Sequence, residues 1–300
     1  MVREDDMFPA LEPGLDCETA FRRIALRTAA EIDAGLALFF GSEGHAGPHK
    51  SRVALRRLTA ALDGFEPVLR RKVRQGLRAE AKRIFRKLGE QRDSDVYLAG
   101  LGAARRSKAA LARNAALRER LRDDLRARKA VAFAPRLQSL TESGEIFRRG
   151  AGALALRQGP AEDLAAEALE IAWQDCLAHG TDLAEMKDEV RHDLRKAVKD
   201  LRYLSEFFAP LWPGVDAAPV LARMAALQDA LGTLTDLRAA ELLRKGRADA
   251  AARQRAARAL KDAGQLWQTL CAAPVWWPER DANRPRDVPA EVAAEGPAKG

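Results

Sequence analysis

The chain has little with which to staple itself together, cross a membrane or stack on bases. It carries three cysteines, Cys17, Cys176 and Cys271, far apart and without a CxxC spacing. That argues against both a disulfide framework and a thiolate zinc site and fits a reducing cytoplasm. Aromatic residues make up 6% of the 300 positions, which leaves few platforms for nucleic-acid bases. No run of about 18 apolar residues is present, so no membrane-spanning helix is expected. The opening MVREDDMFPALEPG is acidic and lacks an apolar core, so no secretory signal is expected and the chain reads as cytoplasmic. Strand-forming clusters of β-branched and aromatic residues are missing. So are the phosphate loop GxxxxGK[ST], GxGxxG after a strand, and the nucleophile elbow GxSxG. The expectation is a protein that is not an enzyme and needs no cofactor.

What remains is helix and charge. Apolar residues are 47% and charged residues 31%, a globular composition, and long segments rich in Ala, Leu, Arg and Glu favour helix. Periodicity predicts an all-α fold with helices over 17–40, 48–66, 68–88, 92–131, 160–179, 188–209, 216–231 and 233–272. Residues 132–158 read as a shorter helix with loops. Residues 1–16 read as a flexible N-terminus and 274–300, polar and rich in proline, as a disordered tail. The net charge is +8, but it is not spread evenly: residues 49–92 alone hold fourteen Lys/Arg against four Asp/Glu, a net of +10, while 130–190 is acidic. A basic field attracts polyanions.

The chain also repeats itself. HKSRVALRRLTAALDGFEPVL (49–69) aligns with HDLRKAVKDLRYLSEFFAPLW (192–212) at a shift of 143, and the same shift pairs Leu88-Gly89 with Leu231-Gly232 and Asp93 with Asp236. Two of only four histidines fall in one register, so the chain reads as a duplication with halves of about 17–155 and 160–273. Wound at about 100° per residue, each repeat helix separates two faces. Ala54, Leu55, Leu58, Ala61, Leu62 and Phe65 form one apolar stripe; Leu194, Ala197, Val198, Leu201, Leu204 and Phe208 form the other. Opposite them stand His49, Arg52 and Arg56 on one helix and His192, Arg195, Lys199 and Arg202 on the other. Arg71, Arg78, Lys82 and Arg86 make a similar row on the next helix. A ladder of cations rising about 1.5 Å per residue suits an extended polyanion. Arginine offers a planar fork to phosphate oxygens, and histidine gains charge when an anion sits beside it.

At these residues the sequence resembles the CHAD family, helical domains named for their conserved histidines. PHKSRVALRRL (48–58) resembles its first signature, His-x-x-Arg-x-x-x-Arg-Arg-Leu, and RHDLRKAVKDLRYLSEFF (191–208) its second. LGEQRDSDV (88–96) and LQDALGTLTD (227–236) resemble the Leu-Gly and Asp elements that follow each, and the resemblance covers 17–273. It implies two pseudo-symmetric four-helix bundles with a basic central cleft or pore, and non-catalytic binding of inorganic polyphosphate at polyphosphate granules. Carried over by position, it places binding at His49, Arg52, Arg56, Arg57, His192, Arg195, Lys199 and Arg202, with weaker contacts from Arg78, Lys82 and Arg86. Thr59 and Asp200 depart from the pattern where cations often stand, which thins the charge.

Two other readings use the same faces: binding a nucleic-acid backbone, or docking an acidic protein as a scaffold. His45 and His49 have i, i+4 spacing, but Gly44, Gly47 and Pro48 argue against a continuous helix there, and no metal site is expected. CHAD domains often accompany a CYTH triphosphatase domain with an ExExK strand; that signature is missing here. Trp267 reads as core, and Trp276 and Trp277 as either packing or a partner patch.

Overall fold

The structure, a computed structural model, describes residues 11–100, 107–243 and 250–278. Among these there are ten α-helices and no strand, only two isolated β-bridges. The described residues divide into two compact units that meet in the chain at Pro160 and Ala161, with residues 11–14 belonging to the second.

In the first unit, α1 (Cys17–Gly41) begins at Asp16, whose carboxylate accepts the Thr19 N–H at 2.6 Å, a helix cap. It buries Phe21, Ile24, Ile32, Leu36 and Phe39 against α2 (Ala46–Gly64). The two helices cross closely because small residues meet there. A methyl group on Gly47 would stand 2.5 Å from the Phe39 nitrogen, and one on Gly35 equally near the Ser51 hydroxyl. Helix α2 begins before Pro48, contrary to expectation, because proline in a first turn lacks only an N–H that has no helical partner anyway. His45 precedes the helix and His49 lies in its first turn.

The largest departures from the sequence reading concern glycine. Breaks were expected between 88 and 92 and between 231 and 233, at the two Leu-Gly pairs. Instead α3 runs from Arg71 to Gly100 and α9 from Ala218 to Leu243, straight through both. The expected helix 92–131 is therefore the end of α3 followed by α4 (Lys108–Ala127), which Ser107 caps. The expected 233–272 is the end of α9 followed by α10 (Ala250–Ala272). The 132–158 stretch holds α5 (Phe133–Glu142), which packs Phe133 and Leu137 inward, and α6 (Ala151–Gln158).

Helix α4 is tied down by buried charge. Arg118, 2% exposed, pairs with Asp95 of α3 at 3.2 Å and donates to the Gly44 carbonyl. Arg122 donates to the carbonyls of Phe39 and Ser42 and to Glu43.

The second unit holds α7 (Ala161–Leu177), α8 (Asp188–Phe208), α9 and α10. Its core is aromatic. Trp267 is fully buried, packs edge-on to Trp173 at 5.7 Å and donates its indole N–H to the Gly180 carbonyl at 3.0 Å. Gly180 has φ 101°, a conformation that favours glycine.

Residues assigned to the ends of the chain are packed where they are described. Leu11 is buried, and so are Trp276, which packs against Trp212, and Trp277, which packs against Trp276. Residues 1–10 and 279–300 lie outside the described residues.

Candidate functional site

Both apolar stripes predicted on the repeat helices are buried throughout, from Ala54 on α2 to Phe65 just past its end and from Leu194 to Phe208 on α8. Burying one face of each helix turns the opposite face, with its cations, outward. In the first unit, His49 and Arg52 open this face, and Arg56 follows one turn on, about 10 Å of helix in all. His49 is exposed, and Arg52 and Arg56 are half-buried. Beneath them lies Phe85 of α3. The Arg52 guanidinium stands 4.0 Å above its ring and donates to its carbonyl at 3.0 Å; Arg56 reaches the same ring at 5.7 Å. One aromatic side chain thus orders two cations through its π face.

Arg92, which the sequence reading did not select, joins this group. Burial and the nearby charges of Arg92 and Arg52 hold the His49 imidazole below its ordinary value of 6.5. Burial lowers Arg52 too, partly offset by Asp93. Arg92 stands three residues after Gly89 on a helix expected to stop there, which is why the sequence did not point to it.

The acids of residues 49–92 are already engaged. Asp63 takes Arg78 at 2.8 Å and Arg74 at 3.2 Å, and Glu66 also takes Arg74. Glu80 pairs with Arg136, and Glu90 pairs with Lys87 and Arg120. Two predicted binding residues are held the same way: Arg78 by Asp63, and Arg57 by Glu31 of α1 at 3.3 Å. Exposed pairs of this kind contribute only about 0–1 kcal/mol, so a polyanion can compete for Arg78. Lys82 and Arg86, exposed on α3, have no partner among the described residues.

The second unit arranges the corresponding residues around a polar side chain. Gln228 of α9 stands where Phe85 stands in α3. Its carbonyl accepts from Arg195 Nε at 3.4 Å, its Oε1 from Arg202 Nε at 3.1 Å, and its own Nε2 donates to the Val198 carbonyl. Arg202 also bonds Glu206. Lys199 is half-buried on the same helix and His192 is exposed at its head. Asp193 beside it is held below its ordinary value, first by a hydrogen bond from Lys196 and further by the charges of Lys196, His192 and His179.

Such faces can neutralise a string of anionic groups by hydrogen bonds and charge. No group of three His, Cys, Asp or Glu side chains suited to a metal occurs among the described residues. An open cleft of about 440 Å³ in the first unit, bordered by Ser94, Tyr97, Arg113 and Asn114, holds none of the ladder residues. No described helix is long and apolar enough to cross a membrane.

All-α units with histidine-headed cationic helix faces define the class. The CHAD domain model matches residues 40–245, more than half the chain, and the protein belongs to the CHAD domain family. The structure is similar to the crystal structure of the CHAD domain from the plant Ricinus communis, with 25% identity, a TM-score of 0.55, and coverage of 89% of this chain and 91% of that one. It also shares its fold with PptA from Streptomyces chartreusis, at 17% identity and a TM-score of 0.54, covering 85% of this chain and all of that one. No curated protein matches the sequence.

Proposed function

We propose that this protein binds inorganic polyphosphate without transforming it, and that it does so at polyphosphate granules. The observation that carries the reading is the recurrence, in each unit of a CHAD-family chain, of an outward helix face that begins with an exposed histidine and continues with Arg or Lys. In the first unit the face comprises His49 and Arg56, with Arg52 and Arg92 beside them and Lys82 and Arg86 further along α3. In the second it comprises His192, Lys199 and Arg202, with Arg195. Arg57 and Arg78 sit behind carboxylates and contribute as secondary contacts. A linear chain of phosphates presents anionic oxygens at regular intervals, matching cations one helical turn apart better than a compact ligand does.

The test is polyphosphate affinity across a salt series, with duplex DNA and ATP as controls, for the wild type and a His49→Ala, Arg56→Ala, His192→Ala, Lys199→Ala variant. The expected result is tight, chain-length-dependent binding that weakens steeply with salt as counterions are released. The variant should lose at least about tenfold, the worth of one charge-assisted hydrogen bond. Equal weak binding of all three anions, or an unaffected variant, removes polyphosphate as the ligand and leaves nucleic acid or an acidic protein to be sought.

A further inference from the structure

Arg52 and Arg195 stand second in the two ladders, yet each commits its guanidinium to the neighbouring helix. Arg52 donates to the carbonyl of Phe85 on α3, and Arg195 to the carbonyl of Gln228 on α9. Each then lies against a glycine one turn further along. A methyl group on Gly89 would collide with Arg52 Nη1, and one on Gly232 would stand 3.1 Å from Arg195 Nη2. Arginine, carbonyl and glycine are each separated from their counterparts by the same 143 residues that align the two repeat sequences. Glycine is a poor helix former and alanine the best, so the helix itself gives no reason for glycine at either place. The space does: at each of these glycines a guanidinium lies against the backbone where a side chain would begin.

We infer that Arg52 and Arg195 are positioning residues, each clamping its repeat helix across a glycine of the following helix and so fixing where the neighbouring cations stand, rather than phosphate contacts in their own right. The clamp stands on geometry alone; its consequence for binding rests on the polyphosphate reading. Arg52 Nη1 donates to main chain, and its guanidinium is covered on one side by the Phe85 ring and on another by Gly89. Those contacts hold α2 on α3 at the level of His49, Arg56 and Arg92. On α9, Gln228 receives Arg195 through its carbonyl and Arg202 through its side chain, so one residue sets both.

A double-mutant cycle tests the clamp without any ligand. Thermal midpoints are measured for wild type, Gly89→Ala, Arg52→Ala and the double variant. Gly89→Ala should lower the midpoint in the wild type, where the new methyl displaces the guanidinium. In the Arg52→Ala background it should raise the midpoint, because the vacated space lets alanine's helix propensity act. Equal shifts in both backgrounds overturn the clamp. The same cycle with Gly232→Ala and Arg195→Ala is the gentler version, and it decides the matter if Gly89→Ala does not fold.

A second arm measures long-chain polyphosphate affinity over a salt series. Folded Gly89→Ala and Gly232→Ala proteins keep every charge, yet should bind roughly threefold or more weakly with the wild-type salt slope, since no phosphate contact is removed. Wild-type affinity in these variants overturns the positioning role. So does an Arg52→Ala protein whose slope drops by roughly 0.7–1, the mark of a lost phosphate contact. A wild type that does not bind polyphosphate sinks the functional proposal instead, and the thermal cycle still decides the clamp.

Discussion

Beneath the first ladder lies Phe85, and beneath the second, at the corresponding position, Gln228; that exchange changes how the cations above are held. Phe85 gathers Arg52 and Arg56 over an uncharged ring and supplies no side-chain acceptor. Gln228 offers a carbonyl on its side chain, and Arg202 takes it. The position matching Arg202 in the first unit is Thr59, whose hydroxyl donates to the Arg56 carbonyl. The histidines differ likewise: His49 is pressed by Arg52 and Arg92, while His192 lies beside Asp193. Similar motifs have thus been given different electrostatic settings. In the first unit two cations share an uncharged ring, and in the second Arg202 is engaged by a glutamine side chain and by Glu206. The lesson is that a repeated motif fixes where the charges are placed, while the residue underneath decides how much of each charge is available.

The largest effect bearing on this contrast concerns how the units are anchored. Arg118→Ala should cost about 3–5 kcal/mol, because it leaves Asp95 charged and buried without its partner. Trp267→Ala should cost a similar ~3–5 kcal/mol through a cavity in the other unit. Denaturant unfolding of the two variants checks both, and a cost below about 1 kcal/mol for Arg118→Ala would show that its pairing stabilises little.

Next comes Thr59→Arg, which gives the first unit the cation that the second already has. No glutamine at position 85 awaits the new guanidinium, so it should serve the polyanion. Polyphosphate should bind about three- to tenfold tighter, with the salt slope raised by roughly 0.7–1. Unchanged affinity would mean that this part of α2 lies off the path of the ligand.

The third effect is on pH. With its folded-state value below 6.5, His49 binds a proton less readily in the native protein than in the unfolded chain. The free protein should therefore lose stability as pH falls through about 6.5, a loss complete once pH is below the folded value. A bound polyanion reverses the sign by favouring the imidazolium. Affinity should rise on acidification from pH 7.5 to 5.5 by roughly threefold per unit, under the tenfold limit for one proton. His49→Gln should flatten that rise measurably; if His192→Gln flattens it equally, the contrast between the two settings fails.

The smallest effect is on the thiols. Burial pushes Cys271 up to about 11 and Cys176 higher still, so neither should react readily with a thiol reagent at pH 7.5 in the folded protein. Prompt labelling of Cys176 would show that the second unit opens.

The sequence carried the buried stripes, the all-α class and the exposed histidines, because each depends on local periodicity. It misled at Gly89 and Gly232. A glycine in a helical pattern weakens the helix and, near its end, reads as a cap, and nothing in the adjacent letters says that an arginine some 37 positions upstream needs the space. Reading the Leu-Gly pairs as stops also hid Arg92, which lies on the continued helix. Arg57 and Arg78 were legible as cations but not as partners of Glu31 and Asp63, since pairing across helices depends on packing that periodicity does not specify.

The aromatic core of the second unit has a practical consequence. All five tryptophans, Trp173, Trp212, Trp267, Trp276 and Trp277, fall in that unit, while the first relies on phenylalanine. Intrinsic fluorescence excited at the red edge of the indole band therefore watches one half of the molecule, whereas far-ultraviolet circular dichroism watches both. A melt followed by the two signals side by side tells whether the halves unfold together or in turn, with no label and no mutation.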